Sequence, residues 1–281
     1  MGRIANTWID LGRAVRRRRR KRDTSENRWE HRLEWVRANA AGRSFVDVGG
    51  LYATGRIAFA AEKAGAEGVT LFDAGDPNLT EFPQRAAERG SKVRTVQGDL
   101  EDAEAIRRTG PHDVVWCTGV IYHTPNPVLQ LMHLREITNE LLYLGTHTIP
   151  EVPGIPQACL FYPYLDEDTR SAVIRGHGKR RQGAGLGLPF DDSPMTGHAN
   201  FWWGITPSAV RAMLRSARFE VVEEAPIAEY PFMMDVVARP VDKAPLLPPV
   251  SYYREREDAR EKGEDPPPFE DFYDETGRGY V

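Results

Sequence analysis

The chain has 281 residues, of which 41% are hydrophobic and 28% charged, and its formal net charge is -4, a composition typical of a globular protein with a buried core in one or two domains. The net negative charge argues against nucleic-acid binding by the molecule as a whole, and the two cysteines, Cys117 and Cys159, exclude a disulfide framework and a cysteine-rich zinc site. No apolar run approaches the ~18 residues of a membrane-spanning helix and no secretory signal pattern opens the chain, so we expect a cytoplasmic protein.

The N-terminal stretch, residues 1–42, is predicted to be a helical, basic extension. Its first part places apolar residues at helical spacing, namely Ile4, Trp8, Leu11 and Val15, and a basic run follows at Arg16–Arg22. Such a segment can lie on an anionic membrane surface, contact tRNA phosphates or remain a solvated charge run. A second helix through about residue 40, with Trp29, Leu33 and Val36 on one face, is expected to cover one face of the following sheet or the mouth of its ligand site.

A strand, a glycine turn and a helix follow one another over Ser44–Gly55 and the residues after it. Apolar residues up to Val48 suit a buried strand, Gly49 and Gly50 end it, and a helix is predicted from about residue 55. This order is typical of the start of a βαβ unit, in which ligands bind at the carboxyl ends of the strands. Glycine at such a turn lets a ligand approach the backbone closely.

Acidic residues follow the next two predicted strands. Asp73 ends the second strand, where its carboxylate would accept hydrogen bonds from the two hydroxyls of a ribose, and Asp99 follows the third strand, near the position of an adenine. The nucleotide can belong to NAD or to S-adenosylmethionine. The glycines do not form the G-x-G-x-x-G pattern of dinucleotide-binding loops, which favours S-adenosylmethionine, since this cofactor has no pyrophosphate to hold.

Three segments resemble the class I S-adenosylmethionine-dependent methyltransferases, and in particular the branch around the tRNA wobble-uridine carboxymethyltransferase. They are Val46–Gly49, Gly119–Pro127 and Phe201–Ser208, in the family's order within residues 30–240. The chain departs from the family's Asp-x-Gly-x-Gly-x-Gly loop, because Leu51 replaces the second glycine. The resemblance implies a Rossmann-like doubly wound α/β sheet with a closing antiparallel strand pair.

The predicted elements fit this arrangement. Strands are predicted near 44–48, 68–73, 92–96, 113–118 and 140–147, the closing pair near 219–222 and 232–238, and helices near 55–65, 78–89, 101–108, 127–138, 206–217 and 251–262. The methyltransferase domain would span 43–240, with a substrate-side insertion of little regular pattern at 150–204 and a Pro-rich, charged tail at 241–281. Right-handed crossovers bring all the strand ends to one edge.

The candidate site residues come from that edge and from the insertion. The residues predicted to bind the cofactor are Asp47, Gly49, Gly50, Asp73, Asp99, Leu100 and Gly119. His123 is the leading general base, with a purely structural role as the alternative and with His147 and His198 as weaker candidates. The residues predicted to contact the acceptor are Tyr122, Arg175, His177, His198 and Trp202, and no metal is predicted despite Asp191, Asp192 and His198.

These observations favour methyl transfer from S-adenosylmethionine to a small molecule or glycan, most simply onto a hydroxyl group. A tRNA-modifying methyl- or carboxymethyltransferase and a non-catalytic nucleotide-binding scaffold are the alternatives, and a nicotinamide oxidoreductase is disfavoured by the glycine spacing. The sequence predicts neither the acceptor atom nor the oligomeric state.

Overall fold

The computed structural model describes residues 29–169, 200–225, 233–242 and 250–265. Several sequence predictions concern residues outside these ranges: the basic run Arg16–Arg22, the acceptor contacts Arg175, His177 and His198, and most of the C-terminal tail.

A seven-stranded sheet forms the centre of the fold. Its strands are β1 (Ser44–Val48), β2 (Gly68–Asp73), β3 (Arg94–Gln97), β4 (His112–Thr118), β5 (Thr138–His147), β8 (Phe219–Ala225) and β9 (Met233–Pro240), and a separate pair comprises β6 (Cys159–Phe161) and β7 (Trp203–Ile205). The sheet order is β3-β2-β1-β4-β5-β9-β8. The first five strands are parallel, whereas β9 is antiparallel to β5 and to β8. The predicted doubly wound sheet with a closing antiparallel pair is therefore confirmed.

Helices lie on both faces of this sheet. They are α1 (residues 29–40), α2 (Arg56–Lys63), α3 (Phe82–Arg89), α4 (Ala103–Thr109), α5 (Pro127–Glu136) and α6 (Pro207–Ser216). A further helix, α7 (Val250–Lys262), follows the sheet in the chain. Proline opens α5 and α6, where its missing N–H costs no helical hydrogen bond. Within the described residues, no helix combines the length and the apolar character needed to cross a membrane.

Alternating apolar residues of the strands divide the core into two parts. On one face, Phe45, Trp116 and Tyr143 pack with α1, α2 and α3, and on the other face Val46 and Leu142 pack with α4, α5 and α6. Because side chains alternate across a strand, residues buried on both faces give the nearly continuous apolar runs seen in the sequence. Helix α1 thus covers one face of the sheet, which was one of the two placements expected for it.

The structure differs from two local predictions in detail. The predicted helix over 78–89 is a 3₁₀ turn at Pro77–Leu79 followed by α3, which begins only at Phe82 because Thr80 accepts the amide hydrogen bond of Phe82 and Pro83 starts the first turn. The insertion was expected to have little regular pattern, and within its described residues it contributes the short antiparallel pair β6–β7. Strands of three residues are too short to show the alternating pattern by which a strand is recognised in a sequence.

Candidate active site

The loops at the carboxyl ends of the parallel strands are joined by backbone hydrogen bonds. Gly49 N–H donates to the Phe72 carbonyl (2.8 Å), Gly98 N–H to the Asp73 carbonyl (2.9 Å) and Gly119 N–H to the Gly145 carbonyl (2.9 Å). The predicted cofactor-binding residues therefore come together at one edge of the sheet, although 72 positions separate Asp47 from Gly119 in the sequence. The ends of β1 to β5 form the floor of the candidate site.

Two glycines in the loop after β1 are required by close contacts. Gly49 has a φ of +76°, and a Cβ on it would lie 2.5 Å from Val120 Cγ2. A Cβ on Gly50 would lie 2.4 Å from the Oδ2 atom of Asp47. Any side chain at these positions would push the loop away from β4 or from the Asp47 carboxylate. The loop is therefore held close to Val120 and to the Asp47 carboxylate.

Asp47 is almost completely buried beneath this loop. Its Oδ2 accepts a hydrogen bond from Ala58 N–H in α2 at 3.1 Å. The pKa of the carboxyl is raised to about 7, chiefly because burial disfavours the charged form, with a smaller contribution from the nearby Asp73 carboxylate and an opposing one from the Ala58 hydrogen bond. The structure thus gives Asp47 the orienting role in the loop, and its predicted contact with the ammonium group of the cofactor remains a prediction.

Asp73 stands at the end of β2 with both carboxylate oxygens in use. Oδ2 accepts from Leu51 N–H (2.9 Å) and Oδ1 from Gly75 N–H (2.9 Å). Each oxygen has two acceptor sites, so the carboxylate can still accept hydrogen bonds from ribose hydroxyls. These backbone contacts hold the carboxylate in one orientation before any ligand binds.

Leu51 explains how the chain tolerates its departure from the family's glycine loop. Its side chain is buried in the core beneath α1 and α2, while its N–H fixes Asp73. The residue that replaces the glycine therefore points away from the open side of the loop. The sequence did not predict this role, because almost any residue type has a backbone N–H that can donate to Asp73.

Asp99 and Leu100 lie in the loop after β3. Asp99 is exposed and its Oδ1 accepts from Glu101 N–H at 2.8 Å. The side chain of Leu100 belongs to the core on the face of α4 and α5. Leu100 was predicted to bind the cofactor, and with its side chain in the core it could contact an adenine only through its backbone.

Four aromatic rings cluster beyond the ends of β4 and β5. Tyr122 stacks on Phe201, with 4.7 Å between ring centroids and an interplanar angle of 20°. His123 and His147 lie against both of these rings at centroid distances between 4.2 and 5.2 Å. Tyr122 is buried and the two imidazoles are half-buried. An aromatic wall with two imidazoles therefore adjoins Gly119, on the side of the site where an acceptor would enter.

The orientation of the His123 ring is fixed by the far end of the insertion. Its Nδ1 lies 2.7 Å from the carbonyl oxygen of Asn200, which can only accept a hydrogen bond, so Nδ1 carries the proton. In the neutral ring the lone pair then lies on Nε2. Trp202 N–H donates to the Tyr122 carbonyl at 2.9 Å and holds the two segments together. This tautomer is the one that a general base acting through Nε2 requires.

Phe201 and Asn200 are site residues that the sequence did not predict. Both lie in the aromatic-rich run before β7, whose composition alone does not distinguish a ring that lines a site from one that packs in the core. Trp202, which was predicted, is half-buried and packs near Phe161 at a centroid distance of 6.0 Å. In the parts of the chain that the structure describes, no group of three or more His, Cys, Asp or Glu side chains is placed to hold a metal ion.

Comparison with solved structures finds this fold in several proteins at low sequence identity. The magnesium protoporphyrin IX methyltransferase ChlM from Synechocystis PCC 6803, with bound S-adenosylhomocysteine (SAH), has a TM-score of 0.50 and 16% identity over 78% of this chain and 85% of that chain. The N-terminal domain of EvdMO1, in the presence of SAH and D-fucose, has a TM-score of 0.50 and 17% identity over 74% and 81%. The cyclase SpnF has a TM-score of 0.51 and 12% identity over 75% and 80%.

At this identity the similarity establishes the fold alone, which is the Rossmann-like fold of the class I methyltransferases, as the sequence predicted. No protein-family model matches the chain, and no curated protein matches it in sequence. Because one of the similar structures is a cyclase, the fold does not determine the reaction. The reaction depends instead on the residues of the site.

Proposed function

We propose that the protein is an S-adenosylmethionine-dependent methyltransferase that methylates a hydroxyl group of a small molecule or glycan. The observation that carries the proposal is the Asp73 carboxylate, oriented by two backbone N–H groups beside the glycine loop and at the same sheet edge as His123. The SAH in the structures of ChlM and EvdMO1 supports the choice of cofactor.

The residues present fit this cofactor. Asp73 would accept hydrogen bonds from the ribose hydroxyls, the backbone near Asp99 and Leu100 would meet the adenine, and Asp47 with Gly49, Gly50 and Gly119 would surround the methionine portion. When bound, the cofactor supplies a methyl group on a positively charged sulfur. Since the glycine loop leaves no side chains on its outer side at Gly49 and Gly50, the backbone can approach such a ligand closely.

His123 provides the base that a hydroxyl acceptor needs. When a hydroxyl acceptor is methylated, Nε2 of His123 would take the hydroxyl proton, while the bound cofactor would supply the methyl group. The Asn200 carbonyl keeps Nδ1 protonated and stabilises the imidazolium that results. Tyr122 and Phe201 pack against the imidazole and would help to hold an acceptor near the reacting carbon, and such positioning supplies much of the rate of an in-line displacement.

Two alternatives make different predictions. A tRNA-modifying methyl- or carboxymethyltransferase would use the basic run Arg16–Arg22 to bind phosphates, and this run would equally suit an anionic membrane surface. A non-catalytic scaffold would bind the nucleotide and transfer nothing, so replacing His123 would leave all its properties unchanged. Both alternatives share the cofactor site and differ only in the chemistry that the bound nucleotide undergoes.

Calorimetric titration with SAH tests the proposal, using Asp73→Ala and a matched control. Asp113 is the control, because it is also a strand carboxylate that accepts from a neighbouring backbone N–H, that of Ser44 at 2.9 Å, but it lies at the opposite edge of the sheet. We expect Asp73→Ala to weaken SAH binding by about a hundredfold, since hydrogen bonds to a charged group contribute roughly 1.5–3 kcal/mol each. Asp113→Ala should bind as the unaltered protein does.

Two results would contradict the proposal. If the unaltered protein does not bind SAH, the cofactor is wrong. If Asp73→Ala binds SAH as tightly as Asp113→Ala does, the site is elsewhere. A screen with radiolabelled S-adenosylmethionine against hydroxylated metabolites, glycans and tRNA then identifies the acceptor class.

A further inference from the structure

The turn that carries His123 is held from one side by a residue of the loop after β3. The Glu101 carboxylate accepts from the Thr124 hydroxyl on Oε1 and from the Asn126 side-chain amide on Oε2 at 2.8 Å. The same Thr124 hydroxyl oxygen accepts from Asn126 N–H at 3.0 Å. Glu101, Thr124 and Asn126 thus form a small hydrogen-bond network directly after His123.

The other side of the turn is held by the end of the insertion. The Trp203 indole N–H donates to the Pro125 carbonyl at 3.1 Å, in addition to the contacts of Asn200 with His123 and of Trp202 with Tyr122. The position of the imidazole therefore depends on two segments remote in sequence. Under the proposed function the first of them, the insertion, would face the acceptor, and the second, the loop of Glu101, would face the nucleotide.

Glu101 also contacts the candidate adenosine site directly. Its backbone N–H donates to Oδ1 of Asp99 at 2.8 Å, while its side chain reaches Thr124. One residue therefore joins Asp99, the carboxylate predicted to lie near the adenine, to the turn that bears His123. Thr124 is buried, so a hydroxyl that lost its Glu101 partner could not turn to water without moving the turn.

We propose that Glu101 is a positioning residue that couples occupancy of the adenosine site to the placement of the His123 imidazole. The inference rests on the proposed function, because it takes Asp73 and Asp99 as the residues that hold adenosine. Asp99 and Glu101 already share a hydrogen bond, so adenosine bound at Asp99 would stiffen the backbone of Glu101, whose carboxylate holds Thr124 and Asn126, and with them the turn of His123. Occupancy of the adenosine site would thereby change how firmly the imidazole is held.

The test uses adenosine as the probe, because it fills the nucleotide end and lacks the amino-acid end that would approach His123 directly. The chain has seven histidines, so the His123 imidazole resonances can be assigned with a His123→Gln variant in histidine-labelled protein. In the unaltered protein we expect saturating adenosine to shift these resonances. In Glu101→Ala the shift should be lost, although adenosine affinity changes by less than about threefold, because Asp73 and Asp99 remain.

Two further variants separate coupling from a general loss of stability. In Glu101→Gln the side-chain oxygen can still accept from the Thr124 hydroxyl. The Asn126 side-chain amide can rotate so that its oxygen accepts from the new glutamine NH2 group. Most of the shift should therefore return. Glu104→Ala removes an exposed carboxylate from the start of α4 that pairs with Arg107, and it should leave the shift unchanged. If Glu101→Ala fails to fold, Asn126→Ala removes one bond of the same network at an exposed side chain and should reduce the shift.

The outcomes distinguish this inference from the proposed function. If the unaltered protein binds SAH but adenosine shifts His123 equally in Glu101→Ala, or does not shift it at all, the coupling is absent and only this inference is overturned. If Glu101→Gln loses the shift as completely as Glu101→Ala, the hydrogen bonds are not its cause. If the unaltered protein binds neither SAH nor adenosine, the proposed function and this inference both fail.

Discussion

At the scale of single residues, the raised pKa of Asp47 leads to a test of ligand binding. Burial raises its pKa to about 7, so both the protonated and the charged form are expected near neutral pH. An ammonium group placed against this carboxyl would favour the charged form and lower the pKa. Binding of a ligand with such a group would therefore release a proton from Asp47.

This proton release predicts a pH-dependent affinity for SAH. The bound state has the lower pKa, so affinity should rise as the pH increases through the ligand-free pKa of about 7 and level off above it. Calorimetry in buffers of different ionisation enthalpy measures the protons released directly. Asp47→Asn, which can still accept from Ala58 N–H, should lose both the pH dependence and the proton release. A flat affinity profile in the unaltered protein would leave Asp47 with its orienting role alone.

At the scale of elements, helix α1 is anchored by an ion pair that crosses the core. The Arg32 guanidinium donates to both carboxylate oxygens of Asp235 in β9, at 2.9 and 2.7 Å, and the Tyr143 hydroxyl donates to the same carboxylate at 3.2 Å. Gly145 makes room for it, because a Cβ there would lie 2.6 Å from Arg32 Nη2. The pair adjoins the end of β4, next to the candidate site.

Removing one partner of this pair should destabilise the protein strongly. Arg32→Met leaves the Asp235 carboxylate buried without its main counter-charge, and such changes cost about 3–5 kcal/mol of the free energy of unfolding. The double variant Arg32→Met/Asp235→Leu should recover most of that loss, because a well-packed apolar pair often replaces a buried ion pair without penalty. Urea unfolding measures both. If the double variant is as unstable as the single one, the ion pair stabilises the fold by more than the neutralisation of its two charges.

The sequence predicted α1 but not its anchor. Leu33 and Val36 give the helix a recognisable apolar face, whereas Arg32 and Asp235 are 203 positions apart and each reads as an ordinary surface charge. The same limit applies to His123, whose partner is a backbone carbonyl 77 positions away. Patterns of residue type reveal which elements form, but contacts between remote segments depend on how those elements pack.

At the scale of the whole molecule, the convergence of the strand ends is predictable from local signals, because each parallel strand is joined to the next by a helix that must cross over with the right hand. That rule alone brings Gly49, Asp73 and Gly119 to one edge of the sheet. The crossover rule does not apply to the insertion, because β6 and β7 are joined by a long segment for which the sequence gives no comparable rule. The cofactor half of the site is therefore more predictable than the acceptor half.

The charge of the whole molecule separates a small-molecule enzyme from one that acts on tRNA. Although the net charge is -4, the run Arg16–Arg22 is the densest group of cations that the sequence offers to phosphates. Binding through such a run would depend on released counterions, so we expect tRNA affinity to fall by about a thousandfold between roughly 50 and 200 mM salt. Fluorescence anisotropy with labelled tRNA measures this loss.

A variant with Arg16–Arg22 replaced by serine provides the control for that experiment. We expect it to lose the salt-dependent tRNA binding and to keep the SAH affinity of the unaltered protein, because the run and the cofactor site would act independently. Labelled S-adenosylmethionine should transfer no methyl group to tRNA in either protein. Transfer to tRNA that persists at about 200 mM salt would overturn the small-molecule assignment, because non-specific phosphate binding alone would be largely lost under those conditions.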